Sequence, residues 1–438
     1  MRKLAVVILL TQTLFCRAGE PVDLERVRGL ALANSRSLAR YGLLTESALL
    51  DEKAQRYDNL PSLSLGASAS MSLWGEQSLQ DSLGAGASFG VSQKLWDGGK
   101  ASVLKAINSI ATEITRKDAR AEYFAVLDSA DAAYYGTLEA AAALEAAASG
   151  LEAAELALSM AEIRLESGMI SYGDYLQALA EKESRETTRN QARRDLIVNT
   201  AQLRNITGLE ENPEPLAISF ERYGELIDRV SLFSEGDIDA RGDALWEAAL
   251  GNNPSLAKAA LNSRRAEQSV ALANRDYFPS LSASLSTGLN YSWPDRFSAG
   301  SGRLTISGSI PLDFWVTGAN VAKRRIAQNE AALAYRDTEV SLNIEIRTAL
   351  LDCVAQAGSV LSSRRADEYA QRNYEHNLEL YRLSQNSLSA LSDAAALAGS
   401  SRTQRIRAQY GFLSCLSRLR SLGGISEDAE LRALLMGA

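Results

Sequence analysis

The chain has 438 residues, 46% of them hydrophobic and 23% charged, with a formal net charge of −8 at pH 7. The negative charge is spread along the chain with no basic block, which argues against a nucleic-acid partner. Beyond the first residues, no stretch approaches the ~18 uncharged apolar residues that a transmembrane helix needs, so anything spanning a membrane here must be built of strands.

Met1-Arg2-Lys3, the apolar run from Leu4 to Leu10 extended through Leu14 and Phe15, and then Cys16-Arg17-Ala18 read as a secretory signal peptide over residues 1–18. The alternative is a lipoprotein signal with Cys16 lipidated, although bulky Phe15 stands where such signals want a small residue. Cys353 and Cys415 remain, both in Ala- and Leu-rich helical stretches. They read as buried thiols, too few for a disulfide framework.

From residue 19 to 208 the pattern runs helix, strand, strand, long helix, return helix. The first helix carries the turn Asn34-Ser35-Arg36-Ser37-Leu38 and stops where Pro61 opens a strand over 61–74, a place that proline tolerates. Leu63, Leu65, Ala67, Ala69, Met71 and Leu73 share one face, with Ser and Gly opposite. A polar loop over 75–82 leads to a second strand over 83–96, where Ala85, Ala87, Phe89 and Val91 oppose Gly84, Gly86, Ser88, Gly90 and Ser92. Lys100 to Leu165 contains no proline and is dominated by Ala, whose small side chains let helices approach closely. As one helix it would extend ~100 Å. A turn over 166–174 precedes the return helix, Tyr175 to Ile206.

A linker over 209–239, with Glu210-Glu211-Asn212-Pro213-Glu214-Pro215, separates this unit from a second over 240–424. Pro279 opens a near copy of the Pro61 segment (279 − 61 = 218), and the turn at Asn252 to Leu256 matches that at Asn34 to Leu38 at the same offset. Strands are expected over 279–293 and 302–315, and helical arms over about 322–383 and 391–422 with a tip at 384–393. A tail continues over 425–438. At the two tips, Gly168 and Asn386 suit the left-handed conformation that stops a helix, and Ser171 and Ser389 are candidate caps for the return helices.

Strands with one apolar and one hydroxyl face suit a wall between hydrocarbon and water, where only a closed barrel pairs every backbone group. Trp74 and Trp293 beside the hairpin loops, and Trp96 and Trp315 at the opposite rim, would mark the two membrane interfaces. Four strands cannot close a barrel, so copies must pool theirs: two would give eight and three twelve. Catalysis finds little support. The single histidine, His376, lies on a Glu- and Arg-rich helical face, and Gly98-Gly99-Lys100-Ala101-Ser102 lacks the upstream glycine of a phosphate loop, which is Lys94 here.

The run Gly168-Met169-Ile170-Ser171-Tyr172-Gly173-Asp174, the segment Gln202-Leu203-Arg204-Asn205-Ile206-Thr207-Gly208 and the junction Leu95-Trp96-Asp97-Gly98-Gly99 resemble those of the TolC-type outer-membrane efflux channels. The likeness covers essentially the whole chain after residue 18. It implies an α+β membrane protein: a trimeric 12-stranded β-barrel, four strands per chain, continued by a long α-helical coiled-coil barrel, with two internal repeats. It further implies a duct of a tripartite efflux or type I secretion system; from the residues themselves, no cofactor and no enzyme activity are expected. The partners would be outer-membrane lipid, a periplasmic membrane fusion (adaptor) protein and an inner-membrane pump. By residue match, Gly168, Met169, Asn386, Ser387 and Leu388 fall in the adaptor-docking tips, and Asp174, Asp393 and Tyr381 at the pore constriction. Ala390 stands where the family would place a second acid, and Asn386 replaces a basic residue. Asp174 and Asp393 as simple helix caps, and the whole as a non-conducting trimeric stalk, stand as the alternatives.

Overall fold

The computed structural model describes residues 21–71, 83–292, 296–299, 302–383 and 385–437. The expected signal peptide with Cys16, the two tryptophans Trp74 and Trp293, and the first hairpin loop lie outside the described residues. The chain runs β1 (Pro21–Val22), α1 (Leu24–Asn34), α2 (Arg36–Tyr57), β2 (Ser62–Met71), β3 (Leu83–Trp96), α3 (Lys100–Glu166) and α4 (Tyr172–Thr207). After β4 (Glu214–Pro215) and α5 (Gly224–Ser231) come α6 (Glu235–Asn252), α7 (Pro254–Asn274), β5 (Ser280–Ser292), β6 (Arg296–Ala299), β7 (Arg303–Ser309), α8 (Phe314–Arg382), α9 (Leu388–Gly423) and α10 (Asp428–Met436). Among the described residues no helix is long and apolar enough to cross a membrane.

β1 pairs in parallel with β4, and the remaining strands form one antiparallel sheet in the order β2, β3, β5, with β6 and β7 both on the outer edge of β5. β6 pairs with Leu289 to Ser292 and β7 with Ser280 to Ser286, so together they act as one interrupted fourth strand. The fourth strand is shorter than the expected 302–315. Ile310 is followed by Pro311, which has no N–H to give a ladder, and the Asp313 carbonyl then accepts from Val316 N (2.9 Å) and Thr317 N (3.2 Å) to start α8. Trp315 is therefore in the first turn of a helix, not at a strand end.

The helical layer hangs from the sheet. The matching turns break the first helix of each half: Ser35 Oγ accepts from Leu38 N at 3.1 Å to cap α2, and Asn253 Oδ1 accepts from Ser255 N and Leu256 N at 2.9 and 3.0 Å to cap α7. The same turns fasten the return helices. Asn34 Nδ2 donates to the Thr207 carbonyl (2.6 Å) at the end of α4, and Asn253 Nδ2 to the Leu422 carbonyl (2.8 Å) near the end of α9. Gly424 comes next with φ +66°, where a Cβ would lie 2.6 Å from the Asn252 backbone, so only glycine fits that crossing.

Where the halves meet, one apolar cluster joins α5, α6, α8, α9 and α10 around Leu245, Leu350, Phe412 and Leu435, and a second joins α1, α3, α4 and α9 around Val27, Tyr134, Leu203 and Leu413. Between them sits an ionic cluster, buried at Asp131 and Arg420 and open to solvent at Asp428. Arg28 of α1 donates to both oxygens of Asp131 on α3 (2.6 and 2.8 Å) and to Asp428 of α10 (2.8 Å). Arg420 of α9, 1% exposed, donates to Asp131 (2.9 Å) and Asp428 (3.1 Å), and the Ser417 hydroxyl bonds Asp131 as well. Burying such charges is tolerable only because each is paired and hydrogen-bonded.

Burial pushes the Asp428 carboxyl up, but the hydrogen bonds and charges of Arg28 and Arg420 outweigh it and hold it below its ordinary value. A carboxyl depressed in the folded state stabilises above its unfolded pKa, and that contribution is lost as pH falls through the folded value. Hydrogen exchange should show the amides of α10 losing protection as the pH drops below about 4. With Asp428→Asn the acid-dependent step should shrink and protection at neutral pH fall. Unchanged protection in both experiments would mean that the ion pairs do not dock this helix.

Candidate functional site

Two places carry the features expected of function: the sheet, and the far end of the helical arms. In the sheet the period-two pattern of each strand falls into register with its neighbours. Leu63, Val91, Leu285 and Leu304 stand in one row across four strands, and Ser62, Ser92, Ser284 and Thr305 in the adjacent row. Adjacent rows point to opposite faces, so one face is aliphatic and the other hydroxylated. Ser62 and Ser92 bond through their hydroxyls at 2.6 Å, and Ser282 and Ser307 at 2.9 Å. The aliphatic face is bare: Leu65 is 84% exposed and Leu63 71%. A row of exposed Leu and Ile this long calls for a non-aqueous neighbour.

The junction below the sheet shows why Gly98 to Ser102 is not a phosphate site. The Asp97 carboxylate accepts from Gly99 N (3.0 Å) and Ala101 N (2.7 Å), capping α3 with its own side chain. Trp96 ends β3 just past a register shift and packs edge-on against Phe278 at 6.5 Å, half exposed.

At the far end, α3, α4, α8 and α9 share a small core of Ala161, Ala178, Tyr381 and Leu391. The turn after α3 closes with Met169 N on the Arg164 carbonyl (2.8 Å) and Gly168 N on the Leu165 carbonyl (3.0 Å), while Gly168 sits at φ +72°. That is a Schellman stop, and the left-handed residue costs a non-glycine about 1–2 kcal/mol. A Cβ at Gly168 would meet nothing, and Met169 is 70% exposed, so the turn offers an open apolar tip.

The second turn is built differently from expectation. Its closing bond runs from Gln385 N to the Leu380 carbonyl (2.9 Å), so the helix has already stopped before Asn386. Asn386 instead ties the turn by side chain: its amide donates to Asn377 Oδ1 (2.5 Å), and its Oδ1 accepts from Ser387 N (2.8 Å). The cap of α9 is Ser387, whose hydroxyl accepts from Ala390 N at 3.2 Å, in place of Ser389; this starts the helix at Leu388. Ser171 does cap α4, and Asp174 completes a capping box, its Oδ2 accepting from Ser171 N (3.1 Å) and Oγ (2.9 Å).

The structure places the acids unequally. Asp174 is half-buried and engaged in its cap, whereas Asp393 is exposed one turn into α9. Tyr381 is fully buried, and its ring is the platform for the Arg164 guanidinium at 3.8 Å. Arg164 also donates to the Tyr381 carbonyl. Burial pushes the Tyr381 hydroxyl up, with Asp174 adding to the shift and Arg164 opposing it. Any part for Tyr381 in a constriction is thus played through Arg164, which holds the end of α3 to the end of α8. That partnership spans 217 residues, and the sequence signals nothing of it beyond a basic residue in a last helical turn.

The outer membrane efflux protein family model matches residues 27–209 and 245–424. Among curated proteins no sequence matches. Solved structures share the fold. A structure of CusC, from work on its folding and transmembrane channel formation, is 17% identical with a TM-score of 0.75, covering 94% of this chain and 96% of that one. The CmeC outer membrane channel of Campylobacter jejuni is 16% identical (TM-score 0.74, 93% and 88% covered). The outer membrane protein VceC of Vibrio cholerae is 16% identical (TM-score 0.72, 92% and 97% covered). With the aliphatic sheet face, the hydroxyl ladder and the long helical arms, the match over most of the chain shows that this protein belongs to the outer membrane efflux proteins, seated in the outer membrane and reaching into the periplasm.

Proposed function

We propose that the chain is one third of a passive exit duct, closed head to tail with two further copies. It would receive its cargo from a periplasmic adaptor and an inner-membrane pump. The observation that carries this reading is that both layers of the molecule have open edges on the same two chain segments. In the sheet the free edges are β2 on one side and β6 with β7 on the other. In the helical layer beneath it, α2 packs on α3, α3 on α7 and α7 on α8, which leaves α2 and α8 outermost. α2 runs into β2 and β7 runs into α8, so a single joint between copies closes both layers.

The outer helices are prepared for that joint. Leu43, Leu50 and Tyr57 on α2, and Ile326, Leu333 and Val340 on α8, are exposed at seven-residue spacing, one apolar stripe along each helix. The stripes belong to different helices, so the contact is heterologous and copies add in a ring. Three copies give twelve strands, enough to close a barrel and satisfy every backbone group in lipid. The interior would carry the hydroxyl ladder, and the aliphatic face would meet hydrocarbon.

At the periplasmic mouth, the exposed apolar turn at Gly168 and Met169 and the Asn386, Ser387 and Leu388 turn of the second arm are the docking points we assign to the adaptor. Asp393 supplies the acidic ring, and Asp174, committed to its cap, the weaker share. No residue of the duct does chemistry in this reading. Energy for transport enters from the pump.

The purified oligomer in planar bilayers should conduct ions; a stable trimer without conductance would make the protein a stalk instead. In Gly168→Arg, export should fall to background while trimer and barrel persist, since the left-handed turn resists a side chain and the tip loses its close approach. Full export by that variant would remove the docking assignment. In asymmetric salt, Asp393→Ala should reduce cation selectivity and weaken block by multivalent cations, because carboxylates gathered at a narrow mouth reinforce one another. Asp174→Ala should act mainly on local stability, by about 1 kcal/mol. An unchanged reversal potential in Asp393→Ala would rule out the acidic ring.

A further inference from the structure

Two of the chain's three cysteines meet across the second arm. Cys353 on α8 is fully buried in the apolar cluster, and Cys415 on α9 packs half-buried against it; both are free thiols here. The helix register brings them level. Gly411 on α9 leaves a gap where a Cβ would lie 3.1 Å from the Gln356 amide oxygen of α8. Gln356 is three residues beyond Cys353, and Gly411 four before Cys415, so in antiparallel helices the contact at one pair places the other pair opposite. Both thiols belong to the same packed cluster, Cys353 within it and Cys415 against it.

From this geometry we propose that Cys353 and Cys415 are joined as an intrachain disulfide in the protein as it stands in the periplasm. That compartment is oxidising and disulfides persist there, and a dithiol already in contact needs little rearrangement to close. The two sulfurs also divide the work. Burial pushes the Cys353 thiol well up, whereas the hydrogen bond from Cys353 draws the Cys415 thiol down, and Cys415 is the more open of the two.

The Cys415 thiolate therefore attacks a sulfur of an oxidant disulfide, of the kind carried by periplasmic thiol oxidases, and expels the other oxidant sulfur as a thiolate. Cys353 then gives up its proton and attacks the Cys415 sulfur of the mixed disulfide, releasing the oxidant as a dithiol. Two electrons and two protons pass from the chain to the oxidant, and one S–S bond is exchanged for another.

The bond would close a loop of 61 intervening residues (415 − 353 − 1) that contains the whole lower part of the arm and its tip. It lies 29 residues from the end of α8 (382 − 353) and 27 from the start of α9 (415 − 388). At 1.5 Å per residue this places the tie about 40 Å from the tip. The upper arm is then fixed in register, and movement at the mouth is confined to the stretch below it.

The test uses full-length protein recovered from outer membranes, denatured in acid and alkylated with iodoacetamide without reductant. Neither Cys353 nor Cys415 should take label, a single linked peptide pair should appear, and its mass should be about 2 Da below that of the dithiol. Reduction before alkylation should label both. In Cys353→Ala, Cys415 should be labelled without reduction, which shows that the reagent reaches it. Labelling of both cysteines in the unreduced wild type would overturn the proposal, as would linkage of either one to a second chain.

Discussion

In hydrocarbon an unpaired N–H or C=O has no water to turn to, and each one left open costs several kcal/mol. The sheet of one chain has two such edges, along β2 and along β6 with β7, and a bare aliphatic face between them. No rearrangement within one chain removes both edges, because β2 and β7 lie at opposite ends of a sheet too narrow to curl on itself. The architecture obeys that constraint. In the proposed ring the strands are the same in every copy, and the exposed apolar stripes on α2 and α8 lie where the next copy would arrive. A helical layer with polar outer helices would leave the joint at the sheet unsupported on the aqueous side.

The arms pose the opposite problem, since a helix of 67 residues such as α3 meets an apolar cluster only along part of its length. It is held at separate heights instead. Asp97 caps its start, the paired clusters with Arg28 and Arg420 grip its middle at Asp131, and Arg164 fastens its end to Tyr381. Below Asp131 many of its buried residues are small, such as Ala140, Ala146 and Ala154, which let neighbouring helices run close. Such an arm is fixed at its middle and held at its end by the small core around Tyr381 and by Arg164 over that ring.

How much of this is legible in the sequence depends on the range of each interaction. The alternation in the Pro61 and Pro279 segments is local, and it locates the strands and their faces. The capping serines at 35 and 171 and the αL glycine at 168 are local too, and equally readable. Ser387 is hidden behind Ser389 because both lie in a run of alternating serines, and only the closing bond from Gln385 to Leu380 fixes where the turn ends. The end of the fourth strand is overrun because apolar alternation through Leu304, Ile306 and Ile310 leads directly into Pro311, and the pattern does not say which side of it the helix begins. The Arg28, Asp131, Arg420 and Asp428 cluster gives no periodic signal at all. Its members are scattered from α1 to α10, and each alone reads as a solvated charge.

That cluster also distinguishes the two halves of the chain. At the 218-residue offset that superposes the Pro61 and Pro279 segments, Arg28 corresponds to Trp246, Asp128, which lies 3.7 Å from Arg420, to Ile346, and Asp131 to Ala349. Trp246, Ile346 and Ala349 belong to the apolar cluster of the second half, so the corresponding junction is ionic in one half and apolar in the other. The C-terminal helix reads both: Asp428 at its start takes the arginines, and Leu431 and Leu435 along its length enter the apolar core. In the ring proposed above, that difference would tell the two halves apart where neighbouring helices meet.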